Sequence, residues 1–248
     1  MNDFETWGVY YDAIFDAMVD QRDDAEFYHD CLDEYGDPAL EIAVGTGRLY
    51  LDFLAEGYDV DGVDISKQML ARLKEKAVER DLDPTVYHGD ATELNLMRDD
   101  YRLIYLPFNS ILHFTTLDDR KQLFTNVYDH LDTDGAFAFD VFVPDFEKVA
   151  TEYGEMTVNI IDIDGETYRY ETWAELTSPV EQRAKMHKRL IGKRGNVEWK
   201  AEFDFSLLPK QQIELQLELA GFSDWQFDGL ESGNIDDNTE TMCVIAER

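Results

Sequence analysis

Apolar positions along the first 143 residues follow two alternating rhythms. Short apolar runs occupy Ala39–Val44, Tyr58–Val63, Thr85–His88, Leu103–Phe108 and Ala136–Val143, the length expected of buried strands. Stretches of helical spacing lie between them. One spans Arg48–Ala55 and is stopped by Gly57, a residue suited to the left-handed position after a helix. A second is capped by Ser66 and runs to Arg80, with Met69, Leu70, Leu73 and Ala77 on one face. A third covers Asp118–Leu131, with Leu123, Phe124, Val127 and Leu131 inward. An opening helix is expected through Tyr11–Leu32, carrying Ile14, Phe15, Met18, Val19, Phe27 and Cys31, before the Asp37-Pro38 turn. Asp134-Gly135 reads as the turn into the fifth strand. Strand–helix alternation of this kind predicts an α/β fold with a doubly wound, mostly parallel sheet covered on both faces.

The rhythm changes after Pro144. Met156–Ile163 and Glu166–Leu176 flank Asp164-Gly165, and Arg183–Ile191 and Val197–Phe205 flank the segment Gly192 to Asn196. Both read as hairpins, so residues 144–206 are expected to form an antiparallel β insertion. Pro209 then opens a helix through Ala220, closed by Gly221, and Ser223–Phe227 with Met242–Ala246 reads as a final strand pair. The chain is expected to be one domain over residues 1–248. Its parts are a helical cap (1–35), a core (36–143), the insertion (144–206) and the closing helix and strand pair (207–248).

Composition alters this picture mainly through charge. Fifty-four acids face 22 bases in 248 residues, a net charge of −32, where small domains ordinarily carry about 2–8 charges of excess. Aromatic content of 13% and the regular apolar pattern argue against an acidic disordered chain. We read the acidity as adaptation to high salt, which shortens the Debye length to about 3 Å at 1 M. The same charge repels phosphates and disfavours nucleic acid as a partner. No apolar run approaches the ~18 residues of a membrane helix, and Met1–Tyr11 has no signal-peptide pattern, which points to the cytoplasm. Cys31 and Cys243 match no zinc spacing and read as core residues; no metal site is expected.

Candidate chemistry gathers at the strand ends. The first strand runs into Glu41-Ile42-Ala43-Val44-Gly45-Thr46-Gly47, a glycine-bearing turn where a ligand can approach the backbone. Tyr50 stands where a dinucleotide fingerprint would place its third glycine, no Gly-Lys-Ser/Thr follows, and no G-x-S-x-G occurs. Asp64 closes the second strand, where an acid can accept both hydroxyls of a ribose. Asp61 reads as a turn-side or solvent residue. His88-Gly89-Asp90-Ala91 follows the third strand, either as a plain turn or as a carboxylate placed to receive an adenine amino group.

Together these segments resemble class I S-adenosylmethionine-dependent methyltransferases. The resemblance implies a Rossmann-like sheet of seven strands, the last antiparallel, and S-adenosylmethionine as cofactor. Glu41 takes the place of the motif's acid, and Gly45 and Gly47 match its glycines, while Ala43 replaces a family glycine. By the same resemblance Asp64 would hold the ribose, Ile65 and Met69 would line the adenine, Asp90 and Ala91 would touch its rim, and Leu106 would border the methionine portion. A narrower likeness, carried by Tyr11-Asp12-Ala13-Ile14-Phe15, by Pro107-Phe108-Asn109-Ser110-Ile111-Leu112 and by the insertion, is to sugar-amine and glycine-type N-methyltransferases. It implies a small-molecule acceptor, with Tyr11 closing over the cofactor and the insertion on the acceptor side.

Methyl transfer from a sulfonium needs in-line placement and exclusion of water more than acid catalysis. Where the acceptor must lose a proton, His113 is the candidate base, with a packed or solvent-facing histidine as the alternative. Arg183, Lys185, Lys188, Arg189, Lys193, Arg194 and Lys200 form a basic stretch that either attracts an anionic acceptor or pairs across strands with Glu171 and Glu175. Two other readings stay open: a non-catalytic binder of S-adenosylmethionine or S-adenosylhomocysteine on the same fold, and a nicotinamide-dependent oxidoreductase, which the absent glycine disfavours. A homodimer is compatible with the sequence. The acidity itself gives a test: circular dichroism in 3 M and in 0.1 M KCl is expected to show a cooperative loss of structure at the lower salt, and an unchanged spectrum would remove the salt-adaptation reading.

Overall fold

The computed structural model describes residues 10–18, 24–230 and 233–248. Two compact units emerge. One joins Asp24–Val143 to Leu208–Arg248 and contains β1 (Ala39–Ile42), β2 (Val60–Asp64), β3 (Thr85–His88), β4 (Tyr101–Leu106) and β5 (Leu131–Phe142). The other joins α1 (Tyr11–Met18) to Pro144–Leu207. The single opening helix expected from the periodicity is described as two, α1 and α2 (Asp24–Tyr35), and they belong to different units. Val19 of that expected helix lies outside the described residues.

The first unit is a seven-stranded sheet in the order β10-β11-β5-β4-β1-β2-β3, closed by β10 (Asp224–Gly229) and β11 (Thr241–Glu247). β1 pairs in parallel with both β2 and β4, and β4 pairs in parallel with β5. β11 alone runs against its neighbours, antiparallel to β5 and β10. The strand order reverses at β1, so the carboxyl ends of β1 and β4 border the crevice where such sheets bind ligands.

The helices form where the sequence places their signals. Ser66 caps α4 (Lys67–Glu79) by accepting from the Met69 amide at 3.3 Å, and its buried face is Met69, Leu70, Leu73 and Ala77. Gly57 ends α3 (Tyr50–Glu56), and in the left-handed region its amide returns to the helix carbonyls. Thr116 caps α5 (Leu117–His130), which buries Leu123, Phe124 and Val127. Asp134-Gly135 is not a turn between elements but part of β5, which starts at Leu131. A side chain on Gly135 would meet the Tyr101 carbonyl at 2.8 Å, beside a register shift in the β4–β5 ladder, so the glycine permits a bulged strand instead.

Three buried carboxyl groups of this unit are answered by tyrosines. Tyr28 donates to Asp140 at 2.7 Å, Tyr101 to Asp61 at 2.7 Å and Tyr105 to Glu41 at 2.9 Å. Asp61, expected at the surface, is therefore an interior residue at 5% exposure: strand β2 is covered on both faces, and the Tyr101 hydroxyl supplies the donor that water would have given. Cys31 and Cys243 are buried and unpaired with each other. Among the described residues no helix is long and apolar enough to cross a membrane, and no group of side chains could hold a metal ion.

The second unit is a four-stranded antiparallel sheet of β6 (Thr157–Ile163), β7 (Glu166–Ser178), β8 (Arg183–Ile191) and β9 (Val197–Ser206), with α1 and α6 (Phe146–Thr151). Three bases of its basic stretch, Lys185, Arg189 and Lys193, stand in ion pairs with carboxylates of neighbouring strands. Glu171 faces Arg189 in register and lies 2.7 Å from it and 2.8 Å from Arg169. Lys185 lies 3.6 Å from Asp204 opposite it, Lys193 lies 2.6 Å from Glu166, and His187 stands between Glu175 at 3.5 Å and Glu202 at 3.4 Å.

Candidate functional site

The chain leaves β1 through a loop in which Ala43, Gly45 and Gly47 take positive φ values of 57°, 57° and 80°. The loop is closed by the Gly47 amide donating to the Val44 carbonyl at 2.9 Å, and the Leu51 amide continues from Gly47 into α3. The two glycines serve different ends. A Cβ on Gly47 would lie 2.9 Å from the Cγ atoms of both Leu51 and Leu73, so this glycine lets α3 and α4 close on the loop. A Cβ on Gly45 would meet nothing nearer than the Ala43 carbonyl at 3.8 Å; it borders open space, and a ligand can reach its backbone. Ala43 is exposed and accepts its left-handed conformation at a cost of about 1 kcal/mol.

Asp64 ends β2 and ties this loop to the next. One carboxylate oxygen accepts from the Gly45 amide at 2.8 Å and the other from the Ser66 amide at 2.7 Å. The side chain is buried, 8% exposed, so these two amides hold it where the glycine loop meets the start of α4. Ile65 beside it is 52% exposed while Met69 is buried under α4. The His88 ring nitrogen Nε2 lies 3.0 Å from the Ile65 carbonyl, and Asp90 caps a short 3-10 turn by accepting from the Thr92 amide and hydroxyl at 2.9 and 2.8 Å. The Ala91 side chain is buried and its carbonyl accepts from Asn126 at 3.1 Å.

Glu41 lies inside, 2% exposed. Burial pushes its carboxyl up to about 8, against the opposing pull of the Tyr105 hydroxyl and of Arg48, with Asp24 and Asp64 adding repulsion. Arg48 itself reaches α2 and grips Asp24, fully buried, through two bonds of 2.9 and 2.6 Å.

The loop after β4 forms the other bank. Leu106 ends the strand fully buried, so its side chain packs in the core. Phe108 and Asn109 both adopt left-handed conformations, φ 63° and 56°, a tandem that costs about 1–2 kcal/mol per residue. Asp140 in β5 holds it: the amides of Phe108 and Asn109 donate to its carboxylate at 2.5 and 3.0 Å. Asn109 then starts the 3-10 turn Ser110–His113, whose last residue, His113, is half-buried. The Arg48 guanidinium lies 5.8 Å from the Phe108 ring, which joins the two banks. Tyr11 lies in the other unit, on α1, where its ring stacks on Phe15 at 6.2 Å.

The structure thus brings Ala43, Gly45, Asp64 and Ile65 to one edge of the sheet and buries the side chains of Glu41, Met69 and Leu106 behind it. Sequence reasoning missed Asp24, Arg48, Tyr28 and Asp140. A signal existed for two: Arg48 is a base beside the glycines of a base-poor chain, and Asp140 interrupts the apolar run Phe137–Phe142.

Residues 39–135 match the family model described as a methyltransferase domain. The glycine/sarcosine N-methyltransferase of Aphanothece halophytica is 26% identical over 132 residues, 52% of this chain and 50% of that one. The matched region spans about half the length of the curated relatives. Solved structures show the same fold. An S-adenosylmethionine-dependent methyltransferase from Clostridium acetobutylicum superposes with a TM-score of 0.77 at 22% identity, covering 99% of both chains. An amino pentose methyltransferase from Micromonospora echinaspora does so with a TM-score of 0.74 at 16% identity, covering 96% of both.

Two expectations follow from the loop and from Glu41. Gly47→Ala should lower unfolding stability by about 3 kcal/mol, combining overpacking with left-handed strain, and Gly45→Ala by only about 1 kcal/mol; equal urea midpoints would contradict the division of roles. A carboxyl raised to about 8 keeps its proton in the folded protein while the unfolded chain releases it above its ordinary value near 4.5. The stability from this group is thus present at low pH and lost as pH rises toward 8. Glu41→Gln lacks that loss, so its melting temperature relative to the parent should climb between pH 5 and 8, and a constant difference would refute the shift.

Proposed function

We propose that this protein, whose residues 39–135 match the methyltransferase-domain model, transfers a methyl group from S-adenosylmethionine to an amine nitrogen of a small molecule. The observation that carries the reading is Asp64, an acid at the end of β2 whose carboxylate is fixed by the Gly45 and Ser66 amides beside the glycine loop. When bound, the cofactor supplies an electrophilic methyl carbon on a sulfonium. Asp64 would receive the ribose hydroxyls, the Gly45 backbone would lie against the nucleoside, and Ile65 with Asp90 and Ala91 would bound the adenine. The loop after β4 bounds the transfer side and limits access of water. The chemistry supplied would be transfer of that carbon to an acceptor lone pair, with S-adenosylhomocysteine as the leaving group and one proton released from the acceptor nitrogen. We assign that proton to His113.

An amine acceptor is supported by the names of the similar proteins, which include glycine/sarcosine N-methyltransferases and a sugar N-methyltransferase. A nucleic-acid acceptor is disfavoured by the net charge of −32. A non-catalytic binder of the same nucleoside remains the second reading, supported by the same Asp64 geometry, since fold alone does not establish turnover.

Calorimetry with S-adenosylhomocysteine in multimolar salt tests the site. The parent should bind, and Asp64→Ala should weaken binding roughly 100-fold, the loss of two hydrogen bonds to a charged acceptor. Absence of binding by a folded parent would remove the methyltransferase reading. Labelled S-adenosylmethionine offered with glycine, sarcosine and an amino pentose then separates enzyme from binder: a labelled product establishes turnover, and its loss in His113→Gln with intact cofactor affinity supports the base.

A further inference from the structure

Asp140 is completely buried at the middle of the sheet, on the strand next to β4. Its carboxylate accepts from the Phe108 and Asn109 amides and, from the opposite direction in sequence, from the Tyr28 hydroxyl of α2 at 2.7 Å. The backbone it holds is the tandem left-handed pair, a conformation that two residues bearing side chains do not adopt together without external restraint. Asn109 ends with its side-chain oxygen Oδ1 buried and without a hydrogen-bond partner among the described residues. A buried amide oxygen in that state is a poised acceptor: it lacks the bond that nearly all such atoms make, and it sits at the ligand edge of the sheet. α2 adds a second link. Asp24 and Tyr28 stand four residues apart on one helix face; the first grips Arg48 of the loop after β1, the second grips Asp140.

We propose that Asp140, anchored by Tyr28, is a positioning residue that holds the turn after β4 so that the Asn109 side-chain oxygen receives an N–H donor from the ligand at the point of methyl transfer. This rests on the methyltransferase reading and names a determinant within its site. Asp140 does not touch the ligand; it acts through Asn109. The same helix face that holds Asp140 holds Arg48, so α2 sets the spacing between the two loops that border the crevice.

The test compares two nucleosides by calorimetry in multimolar salt. S-adenosylhomocysteine lacks any group where the methyl sits. Sinefungin carries an ammonium there and presents N–H donors to Asn109. Asn109→Ala and Asp140→Asn should weaken sinefungin by about tenfold, the value of one charge-assisted hydrogen bond, and leave S-adenosylhomocysteine within about threefold. Tyr28→Phe keeps the carboxylate charge and the ring packing on Tyr105, and should weaken sinefungin about threefold with the other ligand unchanged. A purely structural role would weaken both nucleosides together, and that result, or an unchanged ratio in Tyr28→Phe and Asn109→Ala, overturns the proposal. These two variants decide the matter if Asp140→Asn does not fold. Failure of the parent to bind either nucleoside would instead overturn the methyltransferase reading.

Discussion

Two backbone amides on the carboxylate of Asp64 fix the ligand edge of this protein. The bond from Gly45 ties down a loop with three left-handed residues, and the bond from Ser66 starts α4. α4 in turn packs Leu73 where only a hydrogen on Gly47 leaves room. Strand, loop and helix are thus interdependent: without the carboxylate the loop loses its restraint, and without the glycine the helix cannot close. The residue best placed to bind a ligand is also the one that organises its surroundings, so its orientation is set before any ligand arrives.

The opposite bank repeats the logic with other parts. There the restraint comes from inside the sheet, through Asp140, and from α2 behind it. Both banks use a buried carboxylate to hold backbone amides in a conformation the chain would not otherwise keep, and Arg48 over Phe108 joins them. The site is therefore a pair of braced turns on the carboxyl ends of β1, β2 and β4.

Much of the framework was legible in the chain. The periodicity placed all five parallel strands of the core and its helix caps, because each is a local pattern: Ser66 before Met69, Gly57 after Glu56, Gly221 after Ala220. The glycine turn and Asp64 were legible because a loop after the first strand and an acid after the second need few residues to state. The braces were not. Tyr28 and Asp140 are separated by 112 residues, and Asp140 and Phe108 by 32; no local pattern announces a partner at that distance. Asp61 misled for the same reason, since an acid in a strand reads as exposed until Tyr101 is placed against it. Asp134-Gly135 carries a real glycine requirement, but it comes from the Tyr101 carbonyl across the ladder rather than from a turn.

The tyrosines that answer Asp140, Asp61 and Glu41 have a consequence for a chain with so few bases. A salt bridge between exposed groups weakens as ions crowd around it, and the Lys193–Glu166 pair on the antiparallel sheet is of that kind. A phenol is neutral and its bond to a carboxylate in the interior is short-ranged, so mobile ions have little to shield. In a concentrated brine the surface pairs of this protein lose their grip while the hydroxyl-to-carboxylate contacts keep theirs. The interior has, in effect, been wired with connectors that the solvent's ionic strength does not reach, whatever charge the surface carries.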